Sequence, residues 1–197
     1  MANWCNVRLV VIGPRPSVAV FARQARTAPT QIFRSDMLVG EGGELISERM
    51  EKLGSAVSKK TYSFQVRSDD GLNHFKALSR TYPDLRLILA FGEAGDDSRG
   101  SYLIRRGRVR KFAFPQPLWD QILAKHGYDP ESDDDEEYWK YCEAEWEALH
   151  VSVAHWERVV RKELGWDGAR KPSSQAPSIF EEPREAFPVI RRGKLTP

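Results

Sequence analysis

The chain has 197 residues, 41% hydrophobic and 29% charged, with 30 Lys and Arg against 28 Asp and Glu. Those proportions exclude a globally disordered chain, and a net charge of +2 excludes arguing nucleic-acid or membrane binding from the total alone. Cys5 and Cys142 make no disulfide framework and fit a reducing compartment. No apolar stretch reaches the length of a membrane span, and the first residues lack the charged start and long apolar centre of a signal peptide, so a cytoplasmic location is expected.

Residues 5–12 alternate, with Cys5, Val7, Leu9 and Val11 on one side and Trp4, Asn6, Arg8 and Val10 on the other, the two-residue period of a strand that Gly13 and Pro14 end. Val18, Phe21, Ala22 and Ala25 then form a helical stripe. A weaker strand is expected over 32–39, followed by a short amphipathic helix over 44–53 carrying Leu45, Ile46, Met50 and Leu53 inward, with Gly54 as its stop. In TYSFQVRS, Tyr62, Phe64 and Val66 alternate with Thr61, Ser63, Gln65 and Arg67, predicting a strand with one separately covered face. Asp69 or Asp70 is expected to cap the next helix, which carries Leu72, Phe75 and Leu78 and closes at Tyr82-Pro83. Residues 85–91 form a further strand with Leu85, Leu87, Leu89 and Phe91 on the core side, and SYLIRRGRVRKFAF predicts a hairpin turning at Arg106-Gly107.

Ser132 followed by DDDEE marks the start of a long helix, because acidic side chains meet the exposed amides of a first turn. Trp139, Cys142, Trp146, Leu149, Val153, Trp156 and Val160 follow at alternating spacings of 3 and 4, a heptad seam. Its burial is worth on the order of 10 to 20 kcal/mol of gross transfer energy, so the seam must be covered. The cover is either the open side of the sheet, where Trp4, Val10, Ile88 and Ala90 would point, or the same helix of a second molecule. The last 26 residues hold five prolines and read as an extended arm, in which Ile179, Phe180, Phe187, Val189 and Ile190 suit packing on the domain or a neighbour.

The order of elements predicts an α+β fold, a ferredoxin-like βαββαβ antiparallel sandwich extended by a β-hairpin, with a long C-terminal α-helix and a Pro-rich arm. The expected division is 1–115 for the α+β domain, 116–165 for the helical extension and 166–197 for the arm. The first strand should lie inside the sheet, with Trp4 clamping its beginning. Over residues 1–105, MANWCNVRLVVIGP, TYSF, LSRTYPDL and LAFGEAGDDSRGSY resemble the YubB-like or Api92-like ferredoxin-like proteins, small proteins of unknown function from bacterial plasmids and phages. The resemblance implies the fold. This chain has KLGSAVSK and QVRSDDG where that family carries Trp-Gly-Thr-Lys-Trp-Asp-like and Thr-Ala-Trp-Ser-Pro-Pro-like segments.

The topology would gather Trp4, Asn6, Asp69, Asp70 and Glu93, with Asp96 and Asp97, at one sheet edge. Clustered carboxylates there can hold a cation or split their pKa values for acid/base work; the plainer reading is a helix cap beside a solvated turn. The hairpin holds Arg105, Arg106, Arg108, Arg110 and Lys111, with Arg99 before it and Tyr102 and Phe112 interleaved. That mixture suits phosphates and bases or the protection of a sheet edge. His150 and His155 are five apart, off the spacing of a shared helical face, and no triad, phosphate loop or metal motif can be assembled, so no cofactor or metal is expected. The preferred expectation is a non-enzymatic binding or adaptor protein that associates with a protein partner or itself through the seam, with Trp139, Trp146 and Trp156, and the arm. The alternative is a nucleic-acid binder using the arginine hairpin; an enzyme or metal binder at the acidic edge comes third.

Overall fold

Alternating side chains demand a sheet buried on two faces. The computed structural model describes residues 4–28, 31–32, 43–53, 55–67, 71–93, 98–132 and 135–164. In chain order the elements are β1 (Trp4–Pro14), α1 (Arg15–Ala25), β2 (Arg26–Ala28), β3 (Gln31–Ile32), β4 (Gly43–Lys52), β5 (Val57–Arg67), α2 (Leu72–Thr81), β6 (Arg86–Glu93), β7 (Ser98–Arg105), β8 (Arg108–Ala113), α3 (Gln116–His126) and α4 (Asp135–Glu163). The strands form one open antiparallel sheet in the order β2-β3-β4-β5-β1-β6-β7-β8, in which β2 and β3 are only three and two residues long. The protein is therefore α+β, and β1 lies between β5 and β6.

The alternation of β1 divides the two layers. Cys5, Val7, Leu9 and Val11 join Tyr62, Phe64, Val66, Leu85, Leu87, Leu89 and Phe91 in a core covered by Val18 and Phe21 of α1 and Phe75 of α2. Val10 and Ile12 point the other way, joining Ile88, Ala90 and Leu103 beneath Leu149, Val153, Trp156 and Val160 of α4. Four of the seven seam positions are thus buried on the chain's own sheet. Trp146 is partly buried there too, whereas Trp139 is 39% exposed. Gly92 lies under Glu145 and Arg86 beside Glu163, so α4 runs opposite to β6.

The expected helix over 44–53 is a strand. As β4 it pairs with β5, placing Glu48 opposite Tyr62 and Glu51 opposite Lys59. Lys60 reaches Glu48 at 2.8 Å and Lys59 reaches Glu51 at 3.2 Å. Cross-strand charge pairs and a neighbour with unsatisfied backbone groups override a weak helical stripe, and Met50 is 46% exposed instead of inward. The strand expected over 32–39 is described only at its first residue. The helix start at α2 also differs: its N-cap is Gly71, with φ of 71° and no side-chain cap, while Asp69 and Asp70 lie outside the described residues, as do Gly54 and the arm. α3 was not among the expected elements, although Pro115 before it, Pro117 in its first turn and Gly127 after it are the punctuation of a short helix. It carries Trp119 and Ile122 against Phe114, Ala144 and Ala148, wedging the flank of α4.

Candidate functional site

The two ends of α4 hold different chemistry. At the end nearer β1's start, Trp4 pairs with Arg67, Cys5 with Glu93 and Asn6 with Gly92, so the backbone brings the predicted edge together. The side chains of Trp4, Glu93, Asp69, Asp70, Asp96 and Asp97 lie outside the described set; Asn6 is the member whose environment is known. Its Nδ2 donates to Glu145 Oε2, and Gln65 Nε2 donates to Asn6 Oδ1 at 2.8 Å. Glu145 is 1% exposed, and the space it occupies exists because residue 92 has no Cβ. A buried carboxylate needs such donors to offset its desolvation. The sequence pattern offered no sign of Glu145, because an acidic residue beside Trp146 reads as the wet side of the heptad.

One turn further on, Arg8 Nη1 donates to His150 Nε2. Guanidinium can only donate, so Nε2 is the acceptor and the imidazole is neutral with its proton on Nδ1. Burial, reinforced by Arg8, pushes the His150 pKa down to about 4. Burial likewise pushes the Cys142 thiol up to about 11, against a hydrogen bond with Tyr138. Neither is poised for chemistry near neutrality: the imidazole's lone pair is engaged by Arg8 and the thiol stays protonated.

At the opposite end the arginines gather. The β7–β8 turn falls at Arg106-Gly107 as expected, both with positive φ, 51° and 74°, the backbone of a two-residue hairpin turn. Gly107 N donates to Ser79 Oγ at 2.8 Å and Arg106 Nε to the Pro83 carbonyl at 3.3 Å, seating the tip on the end of α2. Leu87 pairs with Ile104 and Arg105 with Arg108, so Arg86, Arg105 and Arg108 stand in one row across three strands. They share the face of Ile12 and Leu103, which is the face under α4. Arg110 stands two residues along, 5.2 Å from the Trp156 ring centre. Glu163, at the end of α4, reaches Arg110 Nη1 at 3.3 Å and Arg86 Nε at 3.9 Å. Burial and then Arg105 hold the Arg86 guanidinium below its usual range, with Arg106 adding to the depression and Glu163 opposing it.

The predicted binding residues divide accordingly. Arg106, Arg108, Arg110 and Lys111 are exposed and Arg105 half-buried. Arg99 belongs to the packing instead: it lies 3.8 Å from the Trp119 ring centre and donates to Tyr141 Oη at 3.2 Å. Trp156, 3% exposed, is closed off by the sheet and offers nothing to a partner, whereas Trp139 and Tyr138 stand exposed at 39% and 57%. Arg86 and Glu163 escaped the sequence reading because their meeting depends on strand register and on α4 returning along β6.

Among the described residues no group of His, Cys, Asp and Glu is arranged to hold a metal ion, and no helix is long and apolar enough to cross a membrane. A cavity of about 10 Å³ lies between Ile12, Leu53, Lys59, Glu157 and Arg161, room for water and not for a substrate. Compared with known family models, curated proteins and solved structures, the chain matches none.

Proposed function

We propose that this protein is a binding protein that grips the phosphate backbone of nucleic acid through the β7–β8 hairpin and the adjoining end of α4. The observation that carries the reading is the row of Arg86, Arg105 and Arg108, joined on its face by Arg110, with exposed Arg106 at the hairpin tip and exposed Lys111 on the opposite face of β8. Like charges directly opposite one another destabilise a sheet. Their concentration in a chain of net charge +2 makes a local field that the total conceals. The reading is of backbone contact rather than base reading, because the aromatics beside the arginine row are engaged, Phe112 stacked on His155 at 4.2 Å and Trp156 beneath the helix. The core behind the hairpin is proposed to be ferredoxin-like and the chain a relative of the YubB-like proteins, a reading supported by the order β4-β5-β1-β6 with α1 and α2 on one face. The protein is read as cytoplasmic and without catalysis of its own.

The test is fluorescence anisotropy with a labelled single-stranded oligonucleotide across a salt series. Micromolar binding that weakens steeply with salt is expected. Changing Arg106, Arg108 and Lys111 together to Gln should weaken it at least tenfold; an unchanged affinity would overturn the reading.

Protein association is the second reading, favoured by the adjacent exposed rings of Tyr138 and Trp139, 5.8 Å apart. With the seam closed on the chain's own sheet from Leu149 to Val160, self-association through the whole seam no longer explains its apolar character, and this patch remains. Light scattering of the native protein and of Trp139→Ala checks it: a mass above the monomer that falls in the variant supports association, and a monomer in both removes self-association.

A further inference from the structure

We propose that Arg86, Arg105, Arg108 and Arg110 form a seat for a single phosphoryl group, and that Glu163 occupies this seat as a carboxylate placeholder until a phosphate displaces it. The inference rests on the reading of the hairpin end as a nucleic-acid surface and gives that surface a defined anchor and a built-in competitor.

Geometry comes first. The pairing of Leu87 with Ile104 and Arg105 with Arg108 sets three guanidinium-bearing residues side by side on adjacent strands, all on the face that α4 covers. Neighbouring strands are about 4.8 Å apart, so the three side chains rise from a row roughly 10 Å long. Arg110 joins them from the same face of β8, its side chain 58% exposed and lying over the Trp156 ring.

The charge around this row does not balance. Arg86 is only 9% exposed, and neither its Nε nor that of Arg105 has a hydrogen-bond acceptor although both atoms are shielded from solvent. Among the described residues no carboxylate lies within ion-pair distance of Arg105 or Arg108; Asp84 adds its field at Arg86 from further off, and the carboxylate within that distance of Arg86 and Arg110 is Glu163. Its oxygens sit at 3.9 Å and 3.3 Å, a loose grip shared between two cations. The carbonyl end of α4 contributes about half a negative charge more. Four guanidinium groups thus face one carboxylate in contact, the helix end and the more distant Asp84, and buried donors of this kind are normally satisfied. A tetrahedral phosphate brings more charge and more acceptor oxygens than one carboxylate, and the guanidinium fork is matched to it.

Glu163 is suited to yielding. It is the last residue of α4, its side chain is 33% exposed, and the helix does not depend on it for packing. Its departure would free both Arg86 and Arg110 for the incoming group.

The experiment compares native protein with Glu163→Gln, using the labelled oligonucleotide and, separately, inorganic phosphate as a competitor. Circular dichroism confirms that both proteins are folded. The variant should bind the oligonucleotide about two- to fivefold more tightly, with a salt dependence steeper by close to one released counterion, and phosphate should compete better against it. Arg108→Gln should weaken binding in both backgrounds. Should the oligonucleotide bind and be lost on changing the hairpin tip while Glu163→Gln has no effect or weakens binding, the seat is overturned and the nucleic-acid reading stands. If phosphate alone protects the protein against thermal unfolding, more strongly in Glu163→Gln, while the oligonucleotide does not bind, the seat stands for a free phosphoryl ligand and the nucleic-acid reading falls. Binding of neither probe overturns both.

Discussion

Trp156 Nε1 donates to Ser101 Oγ at 3.0 Å, a polar bond set among the apolar side chains between α4 and β7. Ser101 is wholly buried and Trp156 nearly so, so no water stands ready to replace either partner. With Asn6–Glu145 and Arg8–His150, the bond fixes where α4 lies along the sheet, because apolar packing alone tolerates sliding and a directional donor does not.

Replacing Trp156 with Phe should therefore destabilise the protein by about 2–4 kcal/mol, through an orphaned hydroxyl and a smaller ring. Ser101→Ala should cost about 1–3 kcal/mol by orphaning the indole N–H. The double variant should cost less than the sum, since neither polar group is then left unpaired. Urea denaturation of the four proteins closes the cycle; strict additivity would show that the bond contributes nothing.

Gly92 and Glu145 make a second close approach. A Cβ on residue 92 would lie 2.7 Å from Glu145 Cγ and 2.8 Å from its Oε1. Glu145 is held from the other side by Asn6 and cannot swing clear. Gly92→Ala should cost about 1–3 kcal/mol, read as a fall of roughly 2–4 °C in Tm per kcal/mol for a chain of this size. In a Glu145→Ala background the same glycine substitution should be nearly neutral, and an undiminished loss there would refute the steric account.

The His150 imidazole, with its pKa near 4 in the folded state, sets a pH dependence. An unfolded histidine titrates near 6.5. Between these values the unfolded chain binds more protons than the folded one, so stability falls as pH is lowered from about 6.5 towards 4. The loss attributable to this residue is on the order of 2–3 kcal/mol by the bottom of that window. His150→Gln, compared with the native protein at pH 7.5 and pH 5, should show a visibly smaller loss on acidification. Equal slopes would show that folding leaves the imidazole's titration unchanged and that its buried place beside Arg8 does not hold it neutral.

How far the sequence speaks depends on whether a residue's role is local. The alternation of Cys5, Val7, Leu9 and Val11 announced β1 and its buried face, and Arg106-Gly107 announced the hairpin, because period and turn chemistry act within a few residues. The spacing of Leu149, Val153, Trp156 and Val160 announced a covered seam, but not that β1, β6 and β7 of the same chain cover it. β4 was misread as a helix because its strand character comes from the lysines of β5 across the ladder, which no window along the chain contains. The same holds for both ends of α4. Glu145 meets Asn6 and Glu163 meets Arg86 across 139 and 77 residues, so an acidic side chain that looks wet on a helical wheel becomes structural or competitive only when the register is known.

The late position of α4 bears on how the protein is made. Val10, Ile12, Ile88, Ala90 and Leu103 emerge from the ribosome well before residues 149–160, their cover. Until those last turns clear the exit tunnel, the nascent sheet shows a greasy surface to everything around it. At translation speeds of about 5 to 20 residues per second that window lasts a few seconds. Chaperone binding to the growing chain should therefore peak after β7 is out and end when α4 docks.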